Sequence, residues 1–180
     1  MTEAGMWTAI ISILKTGLAA NGLSDIEVAQ SFQPTKQGGS NQRAVYLHKI
    51  IAPRVGHQGR QFKYIPENDN FEETERFWQS VHIQLLTQVT QDIEDIDSLT
   101  DFDIASMCAT ILQTRNTRSK LLESGISIEN IKDLVFANHL DDKDEFDTNP
   151  SFDFILLFEQ TLVSIVPKAF PIESEVHRVN

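Results

Sequence analysis

Along Phe77–Gln91 the side chains alternate. Phe77, Val81, Ile83, Leu85 and Val89 fall on odd positions with Gln79 and Thr87, while Trp78, Ser80, His82, Gln84, Leu86 and Gln88 fall on even ones. A period of two with one largely apolar side predicts a strand buried on one face. At ~3.3 Å per residue it would run roughly 50 Å, against a radius of gyration of ~16 Å for a compact chain of this length. The strand therefore crosses the whole domain, bends at a bulge, or projects from it.

Other stretches give the remaining elements. Trp7, Ile10, Ile11, Leu14 and Leu18 share one face of a helix from Glu3 to Ala20, which Gly22 stops. Ile26, Val28 and Phe32 suggest a strand that runs into the polar loop Gln33–Gln42. Ala44–Arg54 and Arg60–Ile65 read as strands joined by a turn at Gly56–Gly59, with Pro53 marking an edge or bulge. Pro66–Asn70 is a second turn before the long strand.

Thr100 and Asp103 have capping spacing ahead of Ile104, Cys108, Ile111 and Leu112, a helix ending near Arg115. Asn116 can cap a shorter helix with Leu121 and Leu122, closed by Gly125. Ile126, Ile128 and Leu134–Ala137 suggest extended pieces, and Ser151–Val166 is a second strongly apolar strand. Its two apolar sides imply cover on both faces or a face reserved for a neighbour. Together these predict an α+β fold: an antiparallel meander with a long hairpin and a C-terminal strand, packed on two main helices. Residues 1–171 form one domain in this reading, and 172–180 a polar tail or arm.

Composition narrows the class. At 180 residues, 41% hydrophobic, with 11 Phe, the chain can bury a core without disulfide or metal. The lone Cys108 sits in a helix's apolar register and reads as a buried thiol. No apolar run approaches the ~20 residues of a membrane span, and the N-terminus lacks the basic region of a signal peptide. These features predict a soluble protein made in the cytoplasm.

The formal charge of -11 argues against a grip on nucleic acid, which needs cations at the phosphates. Its layout is uneven. Val28–Pro66 holds no Asp or Glu but six cations, Lys36, Arg43, Lys49, Arg54, Arg60 and Lys63, leaving -17 on the rest. This layout fits an uneven surface, and equally a head-to-tail interface between copies that closes into a ring. The six cations are thus candidate interface residues, between subunits or between rings.

Catalytic patterns are missing from the sequence. Gln33–Gln42 lacks phosphate-loop spacing, and Gln91–Ser98 lacks the glycine and distal Glu of a calcium loop. Asp141–Glu145 reads as a solvated turn. The five histidines are scattered, and no serine lies in a G-x-S-x-G elbow. No catalytic, metal-binding or cofactor-binding residue is expected, and the chain is read as a non-enzyme.

Two stretches carry a resemblance. Gly125-Ile-Ser-Ile128, with the acidic turn leading into Asn149-Pro-Ser-Phe-Asp-Phe154, resembles the C-terminal half of tailed-phage neck proteins of the tail-terminator or gateway type. The polar Gln33-Pro34 to Asn41-Gln42 stretch before a Tyr-containing strand is similar to their N-terminal half. The resemblance implies a structural virion protein at the head–tail junction, assembled in the host cytoplasm as a ring, typically a hexamer. Such a ring caps the tail tube, meets an adjacent connector or collar protein, and leaves a channel that DNA traverses without specific binding. It implies no catalytic residue, no cofactor and no membrane partner. The alternative is a small soluble ligand- or protein-binding α+β domain without catalytic activity, using the Gln33–Gln42 loop and the polar sheet face.

Overall fold

The computed structural model describes residues 1–31, 43–89, 98–140 and 146–167, with 136–140 and 146–149 described as backbone only. The order is α1 (Glu3–Ala20), β1 (Glu27–Gln30), β2 (Ala44–Ile51), β3 (Arg54–Ile65), β4 (Asn70–Gln88), α2 (Asp101–Gln113), α3 (Arg115–Glu123), β5 (Ile126–Glu129), β6 (Val135–Leu140) and β7 (Phe146–Pro167). The class is α+β, as the periodicities require. Phe32, Lys36, the Gln33–Gln42 loop, Gln91–Asp97, Asp141–Glu145 and the 172–180 tail lie outside the described residues.

Seven strands form one sheet in the order β1-β2-β4-β7-β5, with β3 also on β4 and β6 also on β7. β1 runs parallel to β2, and the other pairings are antiparallel. β4 is the spine. β7 follows it without a register break from Asn70↔Pro167 to Leu86↔Ser151.

The Gly56–Gly59 turn is a correction. β2 and β3 do not pair with each other; they succeed one another along the same edge of β4, in one register from Ile51↔His82 to Arg54↔Gln79. Pro53 interrupts the ribbon, yet its carbonyl accepts from the Ser80 amide at 3.0 Å and the Ala52 carbonyl from the Gln79 side chain at 3.0 Å. The register slips between Val55 and Gly59, so the glycine pair serves a bulge, with Gly56 at φ +79. The reversal occurs after Ile65, where Asp69 takes φ 50. An unbroken β4 offers its ladder to both segments, so the chain need not turn back earlier.

The large buried apolar residues of the sheet point to one side, while the small Ala44, Ser80 and Ser151 are buried on the other. Val28, Val45, Leu47, Val81, Ile83, Leu85, Ile126, Phe152, Phe154, Leu156 and Phe158 meet Met6, Ile10, Leu14 and Leu18 of α1, Ile104, Cys108 and Leu112 of α2, and Leu121 of α3. Thr87, also buried, places its hydroxyl 3.0 Å from the Asp101 carbonyl and 3.3 Å from that of Pro150, tying β4 to α2 and β7. The opposite face carries Tyr46, His48, His82, Gln84, Leu86, Ile155 and Leu157, all half-buried. Among the described residues β7 is therefore covered by helices on one side only.

The caps follow the sequence with one change. Thr2 caps α1, and its hydroxyl accepts from the Gly5 amide. Thr100 and Asp103 form a reciprocal capping box on α2, which holds the Asp103 carboxyl below its usual range because it accepts from the Thr100 amide and hydroxyl. Thr100→Ala should lower stability by about 1 kcal/mol, read as a shifted urea midpoint at unchanged slope. Thr114 rather than Asn116 caps α3, accepting from the Thr117 amide at 3.2 Å; it is the residue at which α2 ends in extended geometry. Leu121 is buried while Leu122 is 66% exposed.

Candidate functional site

The long strand projects. From about Ser80 onward β4 lies against the helices, but its N-terminal half, Asn70–Gln79, continues outward with β3 on one side and Phe158–Pro167 of β7 on the other. The result is a three-stranded arm in which every β3 residue except Ile65 is exposed and, among the described residues, no helix packs on β3.

Cross-strand pairs hold the arm together. Tyr64 faces Phe71 with ring centroids 5.3 Å apart, and its hydroxyl donates to Asp69 at 2.6 Å. Arg54 lies 4.5 Å over the Phe77 ring. Arg60 reaches Glu75 at 3.0 Å and Glu73 at 3.9 Å, and Arg76 reaches Glu159 at 3.5 Å. A ribbon without a core relies on such pairs.

The five candidate cations among the described residues do not converge on one patch. Lys36 lies outside the described residues. Arg43 pairs with Asp25 at 3.0 Å and Lys49 with Glu3 at 2.6 Å, both on the body. The Lys49 bond, more than any other contact, holds the Glu3 carboxyl below its usual range. Arg54, Arg60 and Lys63 share β3, but Arg60 sits opposite Glu75 and Lys63 opposite Glu72. The basic stretch of sequence is therefore largely offset by the acidic start of β4, because antiparallel pairing sets the two side by side.

The apolar character of the arm decides between the alternatives that the sequence left open for Ser151–Val166, cover on both faces or a face left for a neighbour. Phe62 is 57% exposed, Leu162 and Val163 each 55%, and Ile165 54%; Trp78, Tyr64 and Val55 are also open. The signal was present in Gln160–Pro167, eight residues without a charge. Periodicity alone gives such a run to the core.

Little supports bond-making chemistry. Cys108 is buried, and loss of hydration pushes its thiol up to about 12, so it is not a thiolate at neutral pH. Among the described residues no group of His, Cys, Asp or Glu could hold a metal, and no helix is long and apolar enough to cross a membrane. A surface groove of about 320 Å³ between α1 and the α2–α3 junction is lined by Ser12, Thr16, Asn21, Thr114 and Asn116 among others, with Lys120 as its single charged group.

The exposed apolar side chains of the arm are what stands out among the described residues. The family model of the E217 gateway protein gp29 matches residues 5–168. The chain belongs to this family. The matched span runs from the first turn of α1 past the end of β7 and so includes the segments that form the arm. No curated protein matches the chain. Membership makes it a structural protein of the phage head–tail junction, a virion component that works with other head and tail proteins.

Proposed function

We propose that this gateway-family protein closes into a homo-oligomeric ring, a hexamer, which caps the last ring of the tail tube, joins it to the connector beneath the portal and leaves a channel for DNA. The match over residues 5–168 carries the proposal. Exposed apolar side chains on both faces of the arm support it, since apolar surface left open to water in this way marks an interaction site. The formal charge of -11 suits a channel wall that DNA slides past without being held.

In this proposal the cations of β3 and β2 contribute to contacts between subunits or rings. Arg54 and Lys63 are the informative pair, because neutralising Arg60 would strand Glu73 and Glu75 beside one another within the subunit. Arg54→Gln with Lys63→Gln should weaken assembly about tenfold, roughly 1.4 kcal/mol. Native mass spectrometry over a concentration and salt series, with negative-stain images of the same samples, reads both the ring and its weakening. A protein that stays monomeric alone and on incubation with assembled tail tube would sink the ring reading; a ring indifferent to the double substitution would remove only the role of the cations.

A further inference from the structure

The arm ends on both sides in strands with no further strand beside them among the described residues, and the pairing pattern says which residues turn their main-chain groups outward. The Asp153 carbonyl accepts from the Lys132 amide at 2.8 Å, and the Glu159 carbonyl from the Met1 ammonium at 2.9 Å. Odd-numbered β7 residues thus turn their main-chain groups away from β4. The register with β4 is unbroken to Pro167 and β5 pairs no further than Phe158, so Thr161, Val163 and Ile165 face outward with no strand beside them among the described residues.

On the other edge the Ser80 amide donates to Pro53, so even-numbered β4 residues face β3. Gly59, Gln61, Lys63 and Ile65, opposite Arg76, Thr74, Glu72 and Asn70, then bond to β4. Arg60 and Phe62 turn their main-chain groups outward, again with no strand beside them among the described residues. Both edges flank the same stretch of β4, so they are of matching length.

An edge this long, exposed and apolar is one that proteins either blunt or pair. Gln160–Pro167 has no charge to blunt it. We infer that the outer edge of β7 in one subunit takes up the outer edge of β3 from a second copy, in parallel, so that the three-stranded arms join into a continuous sheet around the ring.

Two observations select a head-to-tail copy. β3 carries Arg54, Arg60 and Lys63 with no acidic residue, so pairing two β3 edges would set like charges together, whereas the β7 edge offers none to repel them. A two-fold contact between β7 edges would satisfy three outward residues and leave those of β3 open in each copy. A head-to-tail contact satisfies both sets, and such contacts close into rings. β3 and β7 both run antiparallel to β4, which makes the new pairing parallel. This inference rests on the ring reading and specifies the surface that closes it.

Val163→Pro removes an outward amide and leaves the β4 ladder intact, so the subunit should fold with its thermal transition retained but lose the ring, with assembly weakened at least ~100-fold. Val163→Thr keeps the amide and should assemble within a few-fold of wild type. Amide exchange should show the 60–64 and 161–165 segments gaining protection together on assembly. Val163→Pro protein that still forms rings at wild-type concentration would overturn edge pairing and leave the ring reading standing. A wild-type two-fold dimer protected only on β7 would overturn it in favour of isologous pairing. Wild-type protein that is monomeric at every concentration, and on tail tube, would remove the ring and the edge pairing together.

Discussion

Phe154→Ala should cost roughly 3–5 kcal/mol, a large part of the ~5–15 kcal/mol that holds a domain of this kind together. Phe154 is fully buried at the middle of β7, opposite Ile83 of β4 and beside Phe152, whose ring centroid lies 6.0 Å away. It sits where the longest strand pairing meets the helix layer, so truncation leaves a cavity among neighbours held by a rigid sheet. The same change at Phe62, 57% exposed on the arm, should move stability by less than ~1 kcal/mol. Urea denaturation of both variants gives the comparison. Equal losses would mean that the arm is packed in the isolated subunit, contrary to its exposure.

Gly17→Ala is the second change with a large and less intuitive effect. In an open helix alanine gains about 1 kcal/mol over glycine. Here a Cβ at position 17 would stand 2.6 Å from Cγ2 and 2.8 Å from Cδ1 of Ile111, at the contact of α1 with α2. Ile111 is buried and branched at Cβ, so its side chain cannot simply rotate away. Overpacking of about 1–3 kcal/mol should outweigh the helix gain and leave Gly17→Ala destabilised by about 1–2 kcal/mol. In an Ile111→Ala background the clash is gone, and Gly17→Ala should stabilise by up to ~1 kcal/mol. A double-mutant cycle measures the reversal, and the same sign in both backgrounds would locate the cost elsewhere.

These two predictions separate what local pattern fixes from what packing fixes. The helix over Glu3–Ala20 was legible because its apolar residues recur at helical spacing and Gly22, at φ +82, supplies the left-handed stop. The capping box at Thr100 was legible because its partners are three residues apart. The buried parity of β4, from Val81 to Thr87, could be read directly from alternation. So could the family resemblance, carried by short runs near Ile128 and Phe152.

The surface charge was legible only in outline. Six cations in a stretch free of carboxylates suggest a basic surface, but Glu72, Glu73 and Glu75 lie beside β3 once β4 folds back on it, and Asp25 and Glu3 engage Arg43 and Lys49. Charge along a chain becomes charge on a surface only after strands are paired.

By itself, then, the sequence determined the main element types, the core-facing side of α1 and of the inner half of β4, the α+β class and the head–tail junction family. These depend on periodicity, caps and short motifs, which are local. The tertiary structure decided that Gly56–Gly59 is a bulge, that β2 and β3 share one edge of β4, and that the longest strands leave the core as an arm. Those outcomes depend on which distant segments hydrogen-bond and in what register. The same apolar residues, Leu162 to Ile165, would fill a core or form an outer face according to where the helices end, and α1 to α3 reach no farther than the start of the arm.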